Sequence, residues 1–166
     1  GNNLNGNKFI NHAINKGAKT VVSTIKYEGF KKDVLFIRTN NVRRSLSETV
    51  SKIYRKKPKN LVAVTGTNGK SSIADFYLQI LKLNKKKVAS IGTLGINSNK
   101  NKIELQNTTL DSLQLAKHLS KLKDQKIDNV ILEASSHGLS QNRLDGLKFQ
   151  IGIFTNLSHD HLDYHK

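Results

Sequence analysis

At 166 residues the chain is long enough to bury one core and part of a second, and with no cysteine it can form neither a disulfide framework nor a thiolate metal site. Its apolar runs are only strand-length and it opens on GNNLNGNKF, so neither a membrane span nor a secretory leader is expected; the default is a soluble, cytoplasmic protein. The formal charge of +16 invites a nucleic-acid reading, but most of it is lysine scattered beside asparagine and isoleucine, residues that share A/T-rich codons. Aromatics are few and no basic run is interleaved with them for base stacking, so neither nucleic acid nor membrane is expected as a partner.

In chain order, FINHAINKGA (9–18) reads as a short helix stopped by Gly17, a natural residue for a left-handed helix end. KTVVST (19–24) and DVLFIRT (33–39) read as strands. From Asn41 to Lys57, Leu46, Val50, Ile53 and Tyr54 share one helical face, and Pro58, the single proline, closes that helix. A stricter strand–helix rhythm follows. NLVAV (60–64) is a strand, Ser71–Leu83 a helix with Ile73, Tyr77, Ile80 and Leu81 inward, and KVASIGT (87–93) a strand. LGINSNKNKIEL (94–105) reads as a hairpin turning at Asn97 to Asn101. Asp111–Lys123 is a helix with Leu115, Ala116, Leu119 and Leu122 inward. NVILEA (129–134) and IGIFTNL (151–157) are strands joined by a short helical segment. Apolar strands alternating with amphipathic helices predict an α/β fold, a mostly parallel sheet with helices on both faces, whose ligands bind beyond the carboxyl ends of the strands. A boundary between a small first region and this sheet is expected near Pro58.

The groups capable of chemistry fall at those strand ends. VTGTNGKSS (64–72) runs from a strand into glycines, a lysine and two hydroxyls, the means by which a loop holds a nucleotide's phosphates. The standard pattern G-x-x-x-x-G-K-[ST] wants glycine at position 64, where this chain has Val64, so the cradle is the shorter Gly66-Thr67-Asn68-Gly69-Lys70-Ser71 with Ser72 behind it. Glu133 ends an apolar strand, where a carboxylate without a partner is costly. It is either a cap or ion pair, or a Mg²⁺ ligand opposite Lys70. SHDHLDYH (158–165) packs three histidines and two aspartates into eight residues and raises a second class, a zinc hydrolase built on H-x-H-x-D-H. Its His159, His161 and Asp163 fit, but Tyr164 stands where the next histidine belongs, and a zinc hydrolase has no need of the phosphate loop. NTTLDS (107–112) and SSHGLSQNR (135–143) are dense in hydrogen-bonding groups, which suits a polar substrate. Thr109 and Asp111 could equally be helix caps, and Arg143 a solvated charge.

Taken together, VTGTNGKSS, NTTLDSL, LEASSHGLSQNRL and FTNLSHDHLDYH resemble the Mur ligase family, over nearly the whole chain. EASSHGL, DHLDYH and NTT narrow the resemblance to its members that act on UDP-MurNAc-L-Ala-D-Glu, whereas GTNGK is shared with folylpolyglutamate synthase. The resemblance implies an ATP-dependent amide ligase of peptidoglycan synthesis, working through an acyl phosphate, with ATP and Mg²⁺ as cofactors. Its partners would be UDP-MurNAc-L-Ala-D-Glu and a diamino acid, and the protein a monomer. Gly66, Thr67, Asn68, Gly69, Lys70, Ser71 and Ser72 would bind ATP, with Lys70 the catalytic cation. Ser71, Glu133 and His161 would hold Mg²⁺, and Asn107, Thr108, Thr109, Ser135, Gln141 and Arg143 the UDP-sugar-peptide. Asn2, Asn3 and Leu4 fall where the first domain meets the nucleotide end. Two positions depart from the family: Ser71 stands for threonine, and Leu110 for the proline after NTT.

The same resemblance divides the chain into 1–57, the later part of a uridine-nucleotide-binding first domain, and 58–166, the first part of an ATP-binding central domain. The family's carbamylated lysine and C-terminal domain would lie beyond Lys166. The chain is therefore expected to be a fragment that does not complete the reaction alone, a basic nucleic-acid-binding module being the remaining alternative.

Overall fold

The computed structural model describes residues 5–105 and 108–159. The chain falls into two compact units, Gly1–Leu46 and Ser47–Lys166.

The first unit opens with a 3-10 turn (Gly6–Phe9) leading into α1 (Ile10–Asn15), shorter than the apolar pattern predicts. Gly17 ends it at φ 94°, and the Ala18 N–H reaches back to Ala13 O, the left-handed stop that glycine permits. β1 (Thr20–Ser23) runs parallel to β3 (Val34–Arg38), as expected from their apolar runs. Between them in sequence, but on the far side of β3 in the sheet, comes β2 (Gly29–Lys31), antiparallel to β3, which periodicity does not predict because three residues are too few to show alternation. Only Val21 and Val34 of this unit's apolar side chains are buried among the described residues.

Helix α2 (Val42–Ile53) runs from the first unit into the second. Its buried side is not the predicted one: Leu46 and Ile53 are exposed, while Ser47, Val50 and Ser51 are buried. Close approach explains the exchange. Ser51 Oγ donates to Gly146 O (2.5 Å) and Ser47 Oγ to Asn142 O (2.6 Å), and a Cβ on Gly146 would already press on Ser51. A leucine at either serine position would not fit.

The second unit is a six-stranded sheet in the order β7-β6-β5-β8-β4-β9. Its parallel strands are β4 (Asn60–Thr65), β5 (Val88–Gly92), β8 (Asn129–Glu133) and β9 (Ile151–Phe154). The 94–105 segment is the expected hairpin, β6 (Gly95–Ser98) and β7 (Lys102–Ile103), with β6 antiparallel to β5. Side-chain alternation sends Leu61, Val130 and Leu132 to one face, under Leu115, Leu119 and Leu122 of α4 (Ser112–Asp124). Val62, Val64 and Ile131 go to the other, under Ala74 of α3 (Lys70–Leu83). All four predicted inward residues of α4 are buried. On α3, Ile73 and Tyr77 pack against the core but Ile80 is exposed, because Ala74 and Leu78 are the residues that face the sheet. Leu110, at the position of the family's proline, is buried in the larger core cluster, so burial anchors that loop where ring rigidity otherwise would. Among the described residues no helix is long and apolar enough to cross a membrane.

Candidate phosphate and metal site

Three parallel strands end side by side, and each delivers one part of the site. β4 continues through Thr65, one residue past the position where the standard phosphate motif places its first glycine. Val64 is paired in the sheet with Glu133 and Ile153 and is fully buried, so the turn starts at Gly66 instead. The loop then enters α3 at Gly69, whose φ of 85° suits glycine and which no side chain caps. The N–H groups of the first helical turn and the positive end of the helix dipole thus open toward an anion. Lys70 Nζ donates to Gly66 O (2.6 Å) and Thr67 O (2.9 Å), which holds the cation over its own loop.

β8 delivers Glu133. Its side chain is 2 % exposed, and three donors hold the carboxylate: Ser71 Oγ to Oε2 (2.8 Å), Thr93 N–H to Oε1 (2.9 Å) and Thr93 Oγ1 to Oε2 (3.2 Å). A buried carboxylate held by three donors is ready as an acceptor or a ligand. β5 supplies its seat. A Cβ on Gly92 would overlap the Glu133 side chain, so glycine at the end of β5 is what lets the carboxylate lie across the strand end toward Ser71. Gly92 and Thr93 escape a motif search; their only signal in sequence is a Gly-Thr pair at the carboxyl end of an apolar strand.

Ser71 and Glu133 suit a hard divalent cation. Both ligating atoms are oxygen, and Ser71 spends its proton on Glu133 while its lone pairs stay free. His161, the third expected metal ligand, lies outside the described residues, as does Asn107. No group of three or more His, Cys, Asp or Glu side chains comes together among the described residues. Thr67, Asn68, Gly69, Lys70, Ser71, Ser72, Thr93, Thr108, Glu133 and Ser135 line one open cleft of about 300 Å³.

The remaining expected substrate residues divide into two sets. Thr108 and Ser135 face this cleft, with Thr108 Oγ1 3.1 Å from Thr93 Oγ1. Thr109 is buried behind it. Its Oγ1 donates to Glu133 O (2.9 Å) and accepts from the Ser135 N–H (3.0 Å), bracing the residues on either side of the strand end. Ser135 Oγ caps α5 (Ser136–Ser140) by accepting from the Gly138 N–H (3.1 Å). Gln141 Oε1 accepts from Arg143 Nη2 (2.9 Å), and Arg143 Nη1 donates to Thr109 O. Arg143 borders a separate small cavity with Ser47, Ser51 and Ser112, and neither it nor Gln141 lines the cleft.

Residues 64–166 match the family described as the Mur ligase middle domain. A UDP-N-acetylmuramoyl-L-alanyl-D-glutamate--2,6-diaminopimelate ligase of Rickettsia montanensis is 44% identical over 99% of this chain and 35% of its own length. The ligase of the same name from Clostridioides difficile (strain 630) is 39% identical over 97% of this chain and 33% of its own. A solved structure of a ligase of that name superposes with a TM-score of 0.81 at 34% identity, over 96% of this chain and 32% of that one. The chain thus spans about a third of the length of the curated relatives it matches. With a strand–glycine loop–helix turn whose Ser71 meets a buried glutamate, and a family match over most of its length, the chain belongs to the Mur ligase family.

Proposed function

We propose that the chain is the phosphate-binding part of a ligase that joins 2,6-diaminopimelate to UDP-MurNAc-L-Ala-D-Glu at the expense of ATP. The observation that carries this reading is the meeting of Lys70, the uncapped start of α3 and the Ser71–Glu133 pair in one cleft. The names of the relatives supply the substrates.

The chemistry explains the residues. A carboxylate resists an amine because oxide is a poor leaving group. Transfer of the γ-phosphoryl group to the D-glutamyl carboxylate, with ADP leaving, makes an acyl phosphate. The amine then attacks the carbonyl carbon, phosphate leaves and the nitrogen gives up a proton. The protein is asked mainly to position reactants and neutralise charge. Lys70 would offset the charge of the moving phosphoryl group, and the N–H groups at the start of α3 would orient it. Ser71 and Glu133, with His161, would hold Mg²⁺, whose contribution is to neutralise the phosphates. Thr108 and Ser135 border the same cleft and would meet the sugar-peptide, with Asn107 beside them in sequence. Arg143 and Gln141 would act on that substrate from behind Thr109.

Within this proposal residues 1–57 belong to a uridine-nucleotide-binding domain and 58–166 to the ATP-binding domain of a cytoplasmic, monomeric enzyme. The test is a ligation assay on the intact protein with ATP, Mg²⁺, UDP-MurNAc-L-Ala-D-Glu and an equal mixture of lysine and diaminopimelate, read by mass spectrometry. A product heavier by one diaminopimelyl residue is expected. A lysyl product would correct the specificity. No product, with ATP still consumed when a folate is supplied, would move the chain to another ligase.

A further inference from the structure

We propose that Thr155 and Asn156, just past the end of β9, are positioning residues for the phosphate loop, turning its carbonyl groups away from the space the phosphates of ATP take. The inference rests on the ATP-binding reading of that loop.

A loop that leads into a helix start can receive an anion there only if its carbonyl oxygens point elsewhere, since each carbonyl brings partial negative charge. In this chain all four loop carbonyls have a partner inside the protein. Gly66 O and Thr67 O accept from Lys70 Nζ (2.6 and 2.9 Å), and Gly69 O accepts from the Ile73 N–H (3.0 Å) as part of α3. The fourth, Asn68 O, lies beyond the lysine's two bonds and outside the helix, and here β9 intervenes. Thr155 Oγ1 donates to it at 2.7 Å, and Asn156 Nδ2 at 3.3 Å.

The grip is two-sided. Asn156 Oδ1 accepts from the Asn68 N–H (3.0 Å), so one amide side chain holds both polar groups of Asn68 as a neighbouring strand would. The Asn156 main-chain oxygen accepts from the Thr67 N–H (3.0 Å), and Thr67 Oγ1 accepts from the Ser158 N–H (3.0 Å). In a planar trans peptide the N–H after a carbonyl points the opposite way. Drawing Asn68 O toward Thr155 therefore turns the Gly69 N–H away from β9.

The clamp also explains the first glycine of the loop. Gly66 sits at φ 132°, and a Cβ there would overlap Thr155 Oγ1 and lie 2.9 and 3.0 Å from Asn156 O and N. Glycine is needed at this position because the β9 end comes in this close. The shortened motif and the Thr-Asn pair just past β9, about ninety residues away, thus form one device.

The test uses the intact protein and three variants: Thr155→Val, which keeps shape and removes the hydroxyl, Asn156→Ala, and Thr155→Ser, which restores the donor. The readouts are the dissociation constant for Mg·ATP by calorimetry, the KM for ATP against that for UDP-MurNAc-L-Ala-D-Glu, and the melting temperature. Losing a hydrogen bond that orients a peptide should weaken Mg·ATP by about five- to tenfold in the valine and alanine variants. Thr155→Ser should stay within about twofold, and the KM for the UDP precursor and the melting temperature should not move. Unchanged Mg·ATP affinity in both Thr155→Val and Asn156→Ala overturns the proposal. So does a joint loss of both substrates and of thermal stability, which would make the pair structural only. An unaltered protein that binds no Mg·ATP removes the phosphate-loop reading itself, and the clamp with it.

Discussion

The two ends of the six-stranded sheet use polar groups in opposite ways. At the carboxyl ends of β4, β5 and β8, two buried polar side chains are bonded to more open neighbours: Glu133 to Ser71 and Thr93, Thr109 to Ser135. At the amino ends of the same strands the turns are lysine-rich and wet. Lys59, Lys87 and Asp128 precede β4, β5 and β8 there, tied by the Lys59 N–H to Asp128 Oδ1 (3.0 Å), Asn129 Nδ2 to Lys87 O (3.0 Å) and Lys123 Nζ to Asp128 Oδ1 (2.5 Å). The first arrangement centres on a buried carboxylate whose hydrogen bonds are strengthened by its low-dielectric setting, the second on surface hydrogen bonds and an ion pair that water and salt screen. The chain's large positive charge therefore tells little about its chemistry, while one buried glutamate tells much.

Substitutions at the two ends should separate accordingly. The largest effect belongs to Lys70→Ala, which removes the only cation bonded to the loop carbonyls among the described residues. It should reduce ligation by at least about a hundredfold, measured as kcat/KM for ATP, with the melting temperature little changed; near-normal turnover would remove Lys70 from the reaction. Next is Gly92→Ala. The added methyl must displace the Glu133 carboxylate, since the two would overlap, and with it the bond from the Thr93 N–H. The Mg²⁺ concentration for half-maximal activity should rise by about tenfold and stability fall by about 1–3 kcal/mol. A variant with unchanged metal dependence would show that the seat is not needed.

The smallest effect is expected at the other end. Lys123 donates to Asp128 and holds its carboxyl below the usual value of 3.8. A depressed carboxylate contributes stability that is complete above that value and is lost as pH falls through the lowered one. Asp128→Asn should thus cost less than about 1 kcal/mol in urea unfolding at pH 7, and the difference from the unaltered protein should shrink as pH drops below 4. A cost of several kcal/mol would mean that the wet end is as tightly built as the site.

The contrast also marks where a linear reading succeeds. Lys70, Ser71 and Glu133 are legible because their neighbours in sequence create their setting: an apolar strand, a glycine turn, a helix start. The inward face of α4 is legible for the same reason, since Leu115, Ala116, Leu119 and Leu122 carry the helical period undisturbed. The face of α2 is not, because hydroxyl bonds from Ser47 and Ser51 to carbonyls about ninety-five residues away outweigh the apolar stripe of Leu46 and Ile53. Ile80 misleads in the same manner: its period fits, but the small Ala74 sets which side of α3 can approach the sheet.

By itself the sequence determined the strand–helix alternation, the parallel sheet and the glycine turn from β4 into α3, since these depend on periodicity and on residues adjacent in the chain. Tertiary structure alone decided that Gly92 makes room for Glu133, that Thr93 holds it, and that Thr155 and Asn156 grip the loop. Those residues are far apart along the chain and meet only because parallel pairing brings the ends of β5, β8, β4 and β9 into one row. No local pattern encodes a steric vacancy or a hydrogen bond between such ends, and it is there that the charged groups acquire their orientation.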